Sequence, residues 1–599
     1  MEFHISSSAR DKYELDQVIF AKRGNVIFGS YRQAQAFAQK LKAEDEKKAD
    51  QVSAADLFAM GLLDEVYHFL LEKYREDYFP TVLDDGLMFL SEKVSEDNVE
   101  QTLVQFNTFF SPTSVYNGEV SVKEYLSLSQ DGLDNRAASL EEMIVLWLEN
   151  QNPALEPYNE LFDDSELVAK SSYADMQAGL YWFFEDCPKF GPKMMNLIDF
   201  MMEPIRKHPY SITAQLEYIQ AEWGDVIGDL ISQVMRSMDF LAEEASHFAF
   251  FSPHPVETFV PDYSDLSIYG ETDIVKFAID KEWMPKLVLI AKNAYVWLDQ
   301  LSKQYGREIK YLNEIPDEEL DRLRWMGITG LWLIGLWERS KASERIKKLC
   351  GNPEALASAY SLSSYHVAGD LGGDLAYQNL YQRAMMRGIR LGSDMVPNHM
   401  GIDSPWVAEH PDWFIQLSYP PFPGYTFSGP DLSADDRVEV FLEDHYYEKT
   451  DASVVFLMKE KHNGRHRYIY HGNDGTSMPW NDTAQLNYLM PEVREAVIQT
   501  IIDVCKKFPV VRFDAAMTLT KKHFQRLWFP EPGSGGDIPS RAEFGLTKKA
   551  FDELLPVEFW QEVVDRVAVE APDTLLLAEA FWFMEGYFVR SLGMHRVYN

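Results

Sequence analysis

The chain has 599 residues, more than one ordinary domain, and 46% of them are hydrophobic, enough to fill large cores. Lys and Arg number 56 against 94 Asp and Glu, which leaves a formal charge of −38. So negative a surface argues against nucleic acid and anionic membranes as partners and suits an uncharged ligand.

The three cysteines, Cys187, Cys350 and Cys505, lie far apart and are odd in number. They suggest neither a disulfide framework nor a paired-cysteine metal site, and free thiols fit a reducing compartment. The first residues, Met1-Glu-Phe-His-Ile-Ser, carry no basic stretch followed by an apolar one. The longest apolar run, around Gly330–Trp337, is too short to cross a bilayer. A cytoplasmic protein with no membrane partner is the expectation; the oligomeric state is left open.

Residues 1–280 read as a mostly α-helical region. Within Ala54–Glu72 the residues Leu57, Leu62, Leu63, Val66, Phe69 and Leu70 fall near one face. Ile227, Leu230, Ile231, Val234 and Met238 repeat that spacing. The character changes near Trp283. Leu287–Ile290 and Ala294–Leu298 read as strands, Pro316–Met326 as a helix, and Gly327–Ile334 as a strand whose unbroken apolar run implies burial on both faces. A helix over Leu375–Gly388 leads into a strand over Ile389–Asp394. This alternation predicts an α/β fold with a parallel sheet and right-handed crossovers, its first part spanning 283–400. Residues 401–490, rich in Pro, Gly, Tyr, Trp and Asp, read as an irregular insertion. The rhythm resumes over 491–599 with a helix at Pro491–Lys507, a strand at Val510–Asp514, a helix at Pro556–Val569 and a strand at Thr574–Glu579. Gly593–Tyr598 reads as the opening of one more strand.

Three of these segments end on acidic residues: Asp394-Met-Val-Pro-Asn398-His399, Arg512-Phe-Asp514, and Leu575-Leu-Leu-Ala-Glu579. Strand ends that offer carboxylates are how a β/α barrel builds a site on the carboxyl-terminal rim of its strands. In this order the three motifs resemble the conserved regions of the α-amylase family of glycoside hydrolases and transglycosidases. Tyr360-Ser-Leu-Ser-Ser-Tyr365 and Trp480-Asn-Asp-Thr-Ala-Gln-Leu-Asn487 add supporting matches, and the resemblance covers roughly residues 283–599.

The resemblance implies a (β/α)8 barrel, incomplete at the C-terminus, with an insertion after its third strand and a large helical region before it. It implies a retaining, double-displacement enzyme acting on α-linked glucans or maltooligosaccharides, with Asp514 as nucleophile and Glu579 as general acid and base. Arg512, two residues before Asp514 and so on the same face of the strand, would favour the ionised carboxylate. The apolar residues around Glu579 would keep it protonated. Asp394, His399 and Tyr360 carry over as groups around the sugar. No cofactor is required. Asn398 matches a calcium ligand of many family members, with Asp403, Asp431 and Asp482 as further oxygen donors. Trp406, Trp413, Trp480 and Trp582 are candidates for a stacking platform.

Two departures shape the expectation. Met517 and Thr518 stand where the family commonly has Lys-His, which leans toward a maltosyltransferase of glucan metabolism. The family's third carboxylate has no match after Glu579, which is expected if these residues are the amino-terminal part of a longer protein. The rival reading is a non-catalytic glucan-binding or assembly scaffold on the same barrel.

Overall fold

The computed structural model describes residues 5–13, 31–44, 52–130, 132–250, 278–475, 479–535 and 537–598. It divides into two compact units, one of Met1–His247 with Pro532–Gly536, the other of Phe248–Glu531 with Asp537–Asn599. The expected boundary near 280 follows a stretch, 251–277, that lies outside the described residues.

The first unit is built from helices. Its longest, α1 (Ala54–Asp77), starts where the Ser53 hydroxyl accepts the Asp56 N–H at 3.0 Å. It packs against α2 (Asn135–Asn150), which Asp134 caps through the Arg136 N–H. Of the stripe read from sequence, Leu57, Leu62, Leu63, Val66 and Leu70 are buried. The second stripe is not one helix. Gly228, at φ 54°, ends a helix at Ile227, and the next helix begins at Ile231.

Between α1 and α2 the sequence places charges where a helical bundle normally keeps apolar side chains. Asp64, His68, Glu141, Glu142 and Glu149 are all buried. His68 Nδ1 lies 3.0 Å from Glu141 Oε1, its Nε2 3.3 Å from Glu142 Oε2, and Arg75 reaches the other Glu141 oxygen at 3.3 Å. Burial pushes the Asp64 and Glu149 carboxyls well above the usual range. Burial opposes a charge on His68, but Glu142 and Asp64 outweigh it and hold the imidazole well above its ordinary value. All three groups therefore keep protons in the folded state that the unfolded chain gives up as pH rises. Stability of this unit should fall as pH climbs above the ordinary carboxylate range. Hydrogen exchange in α1 and α2, corrected for intrinsic rates, should show less protection at pH 8 than at pH 5. Glu149→Gln should narrow that difference; an unchanged pH dependence in the variant would contradict the account.

The second unit holds a six-stranded parallel sheet: β1 (Leu289–Asn293), β2 (Gly330–Ile334), β3 (Arg390–Met395), β4 (Val510–Phe513), β5 (Leu575–Glu579) and β6 (Arg596–Tyr598). Each strand pairs with the next in sequence, so the spatial order is 1-2-3-4-5-6. That order, with helices between the strands, is the arrangement of successive β/α units in a barrel. The connecting helices are α3 (Ala294–Tyr305), α4 (Asp317–Trp325), α5 (Gly373–Met386), α6 (Pro491–Lys507) and α7 (Phe559–Glu570).

One strand expectation is wrong. Ala294–Leu298 opens α3: Asn293 caps it by accepting the Val296 N–H, and Ala294, Trp297, Leu298 and Leu301 are buried at helical spacing. The strand is the preceding Leu289–Asn293. The stretch 401–490 is also more regular than its composition suggests. Gln416–Leu417, Val438–Leu442, Val455–Glu460 and His466–Tyr470 form an antiparallel sheet, and Thr483–Gln485 returns to pair with His399–Gly401.

Candidate active site

Register fixes which residues meet at the carboxyl ends of the strands. Arg512 on β4 pairs with Asp394 on β3 and Leu577 on β5, and Glu579 on β5 pairs with Tyr598 on β6. The Asp514 N–H donates to the Met395 carbonyl at 2.8 Å, which keeps the chain beside β3 just after β4 ends. Trp332 on β2 and Tyr360 add two rings to the same neighbourhood.

Arg512 is the centre of this constellation. Its side chain is 5% exposed, and it meets three carboxylates. Nη1 donates to Asp514 Oδ1 at 2.5 Å and to Asp394 Oδ1 at 3.1 Å, while Nη2 lies 2.7 Å from Glu579 Oε2. Nε donates to the Tyr598 hydroxyl at 2.7 Å. The rings of Tyr360, Trp332 and Tyr598 have their centroids 5.4, 5.5 and 5.7 Å from the guanidinium carbon. A planar cation with fixed donors suits this task; a lysine could not divide its contacts in the same way.

One cation among three acids, Asp394 buried and Asp514 and Glu579 partly so, leaves an excess of negative charge. Burial pushes Asp394 up to about 7, with Arg512 pulling down and Asp514 pushing up. Burial likewise pushes Asp514 up to about 6, against Arg512 and reinforced by Glu579. Arg512 does favour the ionised form of Asp514, as its place on the strand suggested, but desolvation outweighs the ion pair. The surroundings of Glu579 also differ from the apolar ones read in the sequence. Its Oε2 accepts the Ala515 N–H at 2.8 Å as well as the Arg512 contact, and Tyr598 Oη lies 3.4 Å from Oε1.

Backbone geometry contributes to this arrangement. Ala515, directly after Asp514, has φ 44°, and Trp582 and Phe583, just after Glu579, have φ 59° and 62°. Left-handed conformations cost about 1–3 kcal/mol each for residues with a Cβ, and they recur at sites that must aim a group. Here the turn at Ala515 directs its N–H onto Glu579.

Asp514 and Glu579 line a cavity of about 530 Å³ together with Tyr360, His399, Trp480 and Asp482. Asp394 and Arg512 are not among its lining residues; both are buried and reach it through Asp514 and Glu579. Of the four tryptophans considered for stacking, Trp480 lines the cavity; Trp406 and Trp413 pack edge-to-face on each other. Met517 lines it too, whereas the Thr518 hydroxyl is buried and donates to the Ala515 carbonyl. Burial brings His399 down to about 4, so its ring is neutral at pH 7. The Tyr360 carbonyl, 3.1 Å from Nε2, can only accept, so the proton is assigned to Nε2.

The residues considered for calcium are engaged with other protein groups. Asn398 and Gln485 pair through their amides, with Asn398 Oδ1 accepting from Gln485 Nε2 at 3.0 Å. Asp403 accepts the Ala342 N–H, Asp431 the Ser433 and Val440 N–H groups, and Asp482 the Ser343 hydroxyl. Among the described residues no group of three or more His, Cys, Asp or Glu could hold a metal ion.

Sequence reasoning missed Tyr598, Trp332 and the Ala515 N–H. The sixth-strand tyrosine was visible only as part of a strand, and nothing in its neighbours marks it as facing Glu579.

No protein-family model matches the chain. Among solved structures it is similar to an α-amylase from Lactobacillus plantarum, at 16% identity over 49% of this chain and 45% of that one, with a TM-score of 0.27. It is similar to a noncanonic maltogenic α-amylase from Thermotoga neapolitana, at 16% identity over 50% and 46%, with a TM-score of 0.27. A trehalose-6-phosphate hydrolase from Bacillus licheniformis matches at 15% identity over 50% and 45%, with a TM-score of 0.31. The chain spans about half the length of the solved structures it matches. At such identity and overlap the chemistry of the site has to be read from its own residues.

Removing the shared cation should be costly. Arg512→Ala leaves the buried Asp394 and the partly buried Asp514 and Glu579 without their counter-charge and should lower stability by about 3–5 kcal/mol at pH 8. The loss should be smaller at pH 5, where Asp394 and Asp514 take up protons. Denaturant titration at the two pH values checks this, and an equal loss at both would contradict it.

Proposed function

We propose that the second unit is a glycoside hydrolase or transglycosidase of the α-amylase family that acts on α-linked glucans by a retaining route. The observation that carries this reading is that Asp514 and Glu579, from successive strands, line one cavity and share one guanidinium. Retaining cleavage needs two carboxyl groups about 5–5.5 Å apart across one glycosidic bond. In this reading Asp514 attacks the anomeric carbon while Glu579 gives a proton to the departing oxygen. Glu579 then takes a proton from the water or sugar hydroxyl that releases the glycosyl group.

The neighbours fit subsidiary roles. Neutral His399 and Tyr360 line the space a sugar ring would fill, and Trp480 offers a face for stacking. Asp394 acts from behind: with Arg512 it sets the charge around Asp514 and does not itself touch sugar. Among the described residues, Asp474, Asp482, Asp514 and Glu579 line the cavity against a single cation, Lys347. That balance suits an uncharged glycan and weighs against a maltosyltransferase fed by a phosphorylated donor.

A second reading, glucan binding without catalysis, draws on the Arg512–Glu579 ion pair, which ties up one of the two Glu579 carboxylate oxygens. Kinetics with maltooligosaccharides separates the two. The wild-type chain should release reducing ends or transfer products. Asp514→Asn should lose about 10³-fold or more in kcat with KM little changed. Glu579→Gln, given an activated maltosyl fluoride, should accumulate a glycosyl adduct on Asp514 detectable by mass spectrometry. Binding of maltooligosaccharide with no turnover and no adduct would establish the scaffold instead. The acid limb of kcat/KM should fall near pH 6, where Asp514 gains its proton.

A further inference from the structure

Within that proposed chemistry the two oxygens of Glu579 are not equivalent. Oε2 accepts the Ala515 N–H at 2.8 Å and lies 2.7 Å from Arg512 Nη2 in an ion pair. Neither donor can accept a proton, so an oxygen held by both is the one that stays unprotonated. Any proton that Glu579 carries therefore belongs on Oε1. The hydroxyl beside Oε1 is that of Tyr598, at 3.4 Å.

Tyr598 Oη also accepts the Arg512 Nε–H at 2.7 Å. A phenol has one donor and two acceptor positions. With one acceptor position given to Arg512, the hydroxyl can still serve Glu579 in both of its states. It donates O–H to Oε1 when the carboxylate is ionised, and accepts from Oε1–H when it is protonated. Register holds it there, because Tyr598 and Glu579 are direct partners across β5 and β6, and the Ala580 N–H donates to the Tyr598 carbonyl at 3.0 Å. The ring is half-buried and faces the Trp332 indole at 6.3 Å, so its direction is set by packing as well as by the strand.

We propose that Tyr598 is a positioning residue for proton transfer. By capturing Nε of Arg512 it turns the guanidinium so that one terminal nitrogen holds Asp514 and the other holds Oε2 of Glu579, and its hydroxyl keeps Oε1 as the oxygen that gives and takes the proton. This deepens the glycosidase reading and rests on it for its kinetic consequence, though not for its geometry. The balance is simple: the proton on Oε1 goes to the glycosidic oxygen as its bond to the anomeric carbon breaks and the bond to Asp514 forms. It is restored from the incoming hydroxyl in the second half. Tyr598 neither gains nor loses a proton overall.

The test compares two leaving groups. Tyr598→Phe keeps the ring and its packing and removes only the hydroxyl. With maltooligosaccharides, which need a proton on the departing oxygen, kcat should fall about 10²-fold. With maltosyl fluoride, whose leaving group needs no proton from a carboxylic acid, the first-step rate should stay within about threefold. Equal losses on both substrates would mean a merely structural role and would overturn the proposal, as would no loss on either. A wild-type chain that cleaves neither substrate removes the glycosidase reading, and the positioning is then read from a crystal structure of Tyr598→Phe. An Arg512 fork that still holds both carboxylates would overturn the proposal; a fork that lets go of Glu579 or Asp514 would support it.

Discussion

Everything at the rim of this sheet turns on a single buried guanidinium. Among the described residues Arg512 is the one group in contact with Asp394, Asp514 and Glu579 together, and it draws them together from three neighbouring strand ends. Parallel register makes this possible, because a residue near the end of β4 lies level with its partners on β3 and β5. The planar fork does the rest, giving each terminal nitrogen a different acid. Without the sheet the charges would not meet, and without the cation the sheet could not hold three acids so close together.

The charge arithmetic decides what such a site can do. Three acids and one cation in low dielectric cannot all be ionised at little cost, so Asp394 and Asp514 are both raised, and burial is the larger cause in each. Asp514 is still ionised at neutral pH in the larger part of its population, as the proposed attack on an anomeric carbon would require. Asp394, higher and more deeply buried, absorbs part of the repulsion. A similar tension appears in the helical unit, where acids surround His68.

Much of this was legible in the sequence, and the reasons are physical. Unbroken apolar runs marked β2 and β5, because a strand buried on both faces has no polar alternation until it reaches the rim, while β3 and β4 were marked by their place in the strand–helix rhythm and by the acids that end them. Spacing alone put Arg512 and Asp514 on one face. Ala294–Leu298 was misread because its Ala-Tyr-Val-Trp-Leu composition suits a strand; the Asn293 cap and the burial of Leu301 one turn on make it a helix. The antiparallel sheet within 401–490 was hidden by Pro and Gly in its connections. Tyr598 and the Ala515 N–H were out of reach because their roles depend on strand register and on one left-handed residue, neither of which a single sequence displays.

The central claim is that Asp514 and Glu579 flank one glycosidic bond. A crystal structure of the Glu579→Gln variant soaked with a maltooligosaccharide tests it most directly. The account predicts an anomeric carbon facing Asp514, with the next glycosidic oxygen within hydrogen-bond reach of residue 579. A saccharide bound elsewhere, or lying in the cavity with no linkage between the two side chains, would contradict it.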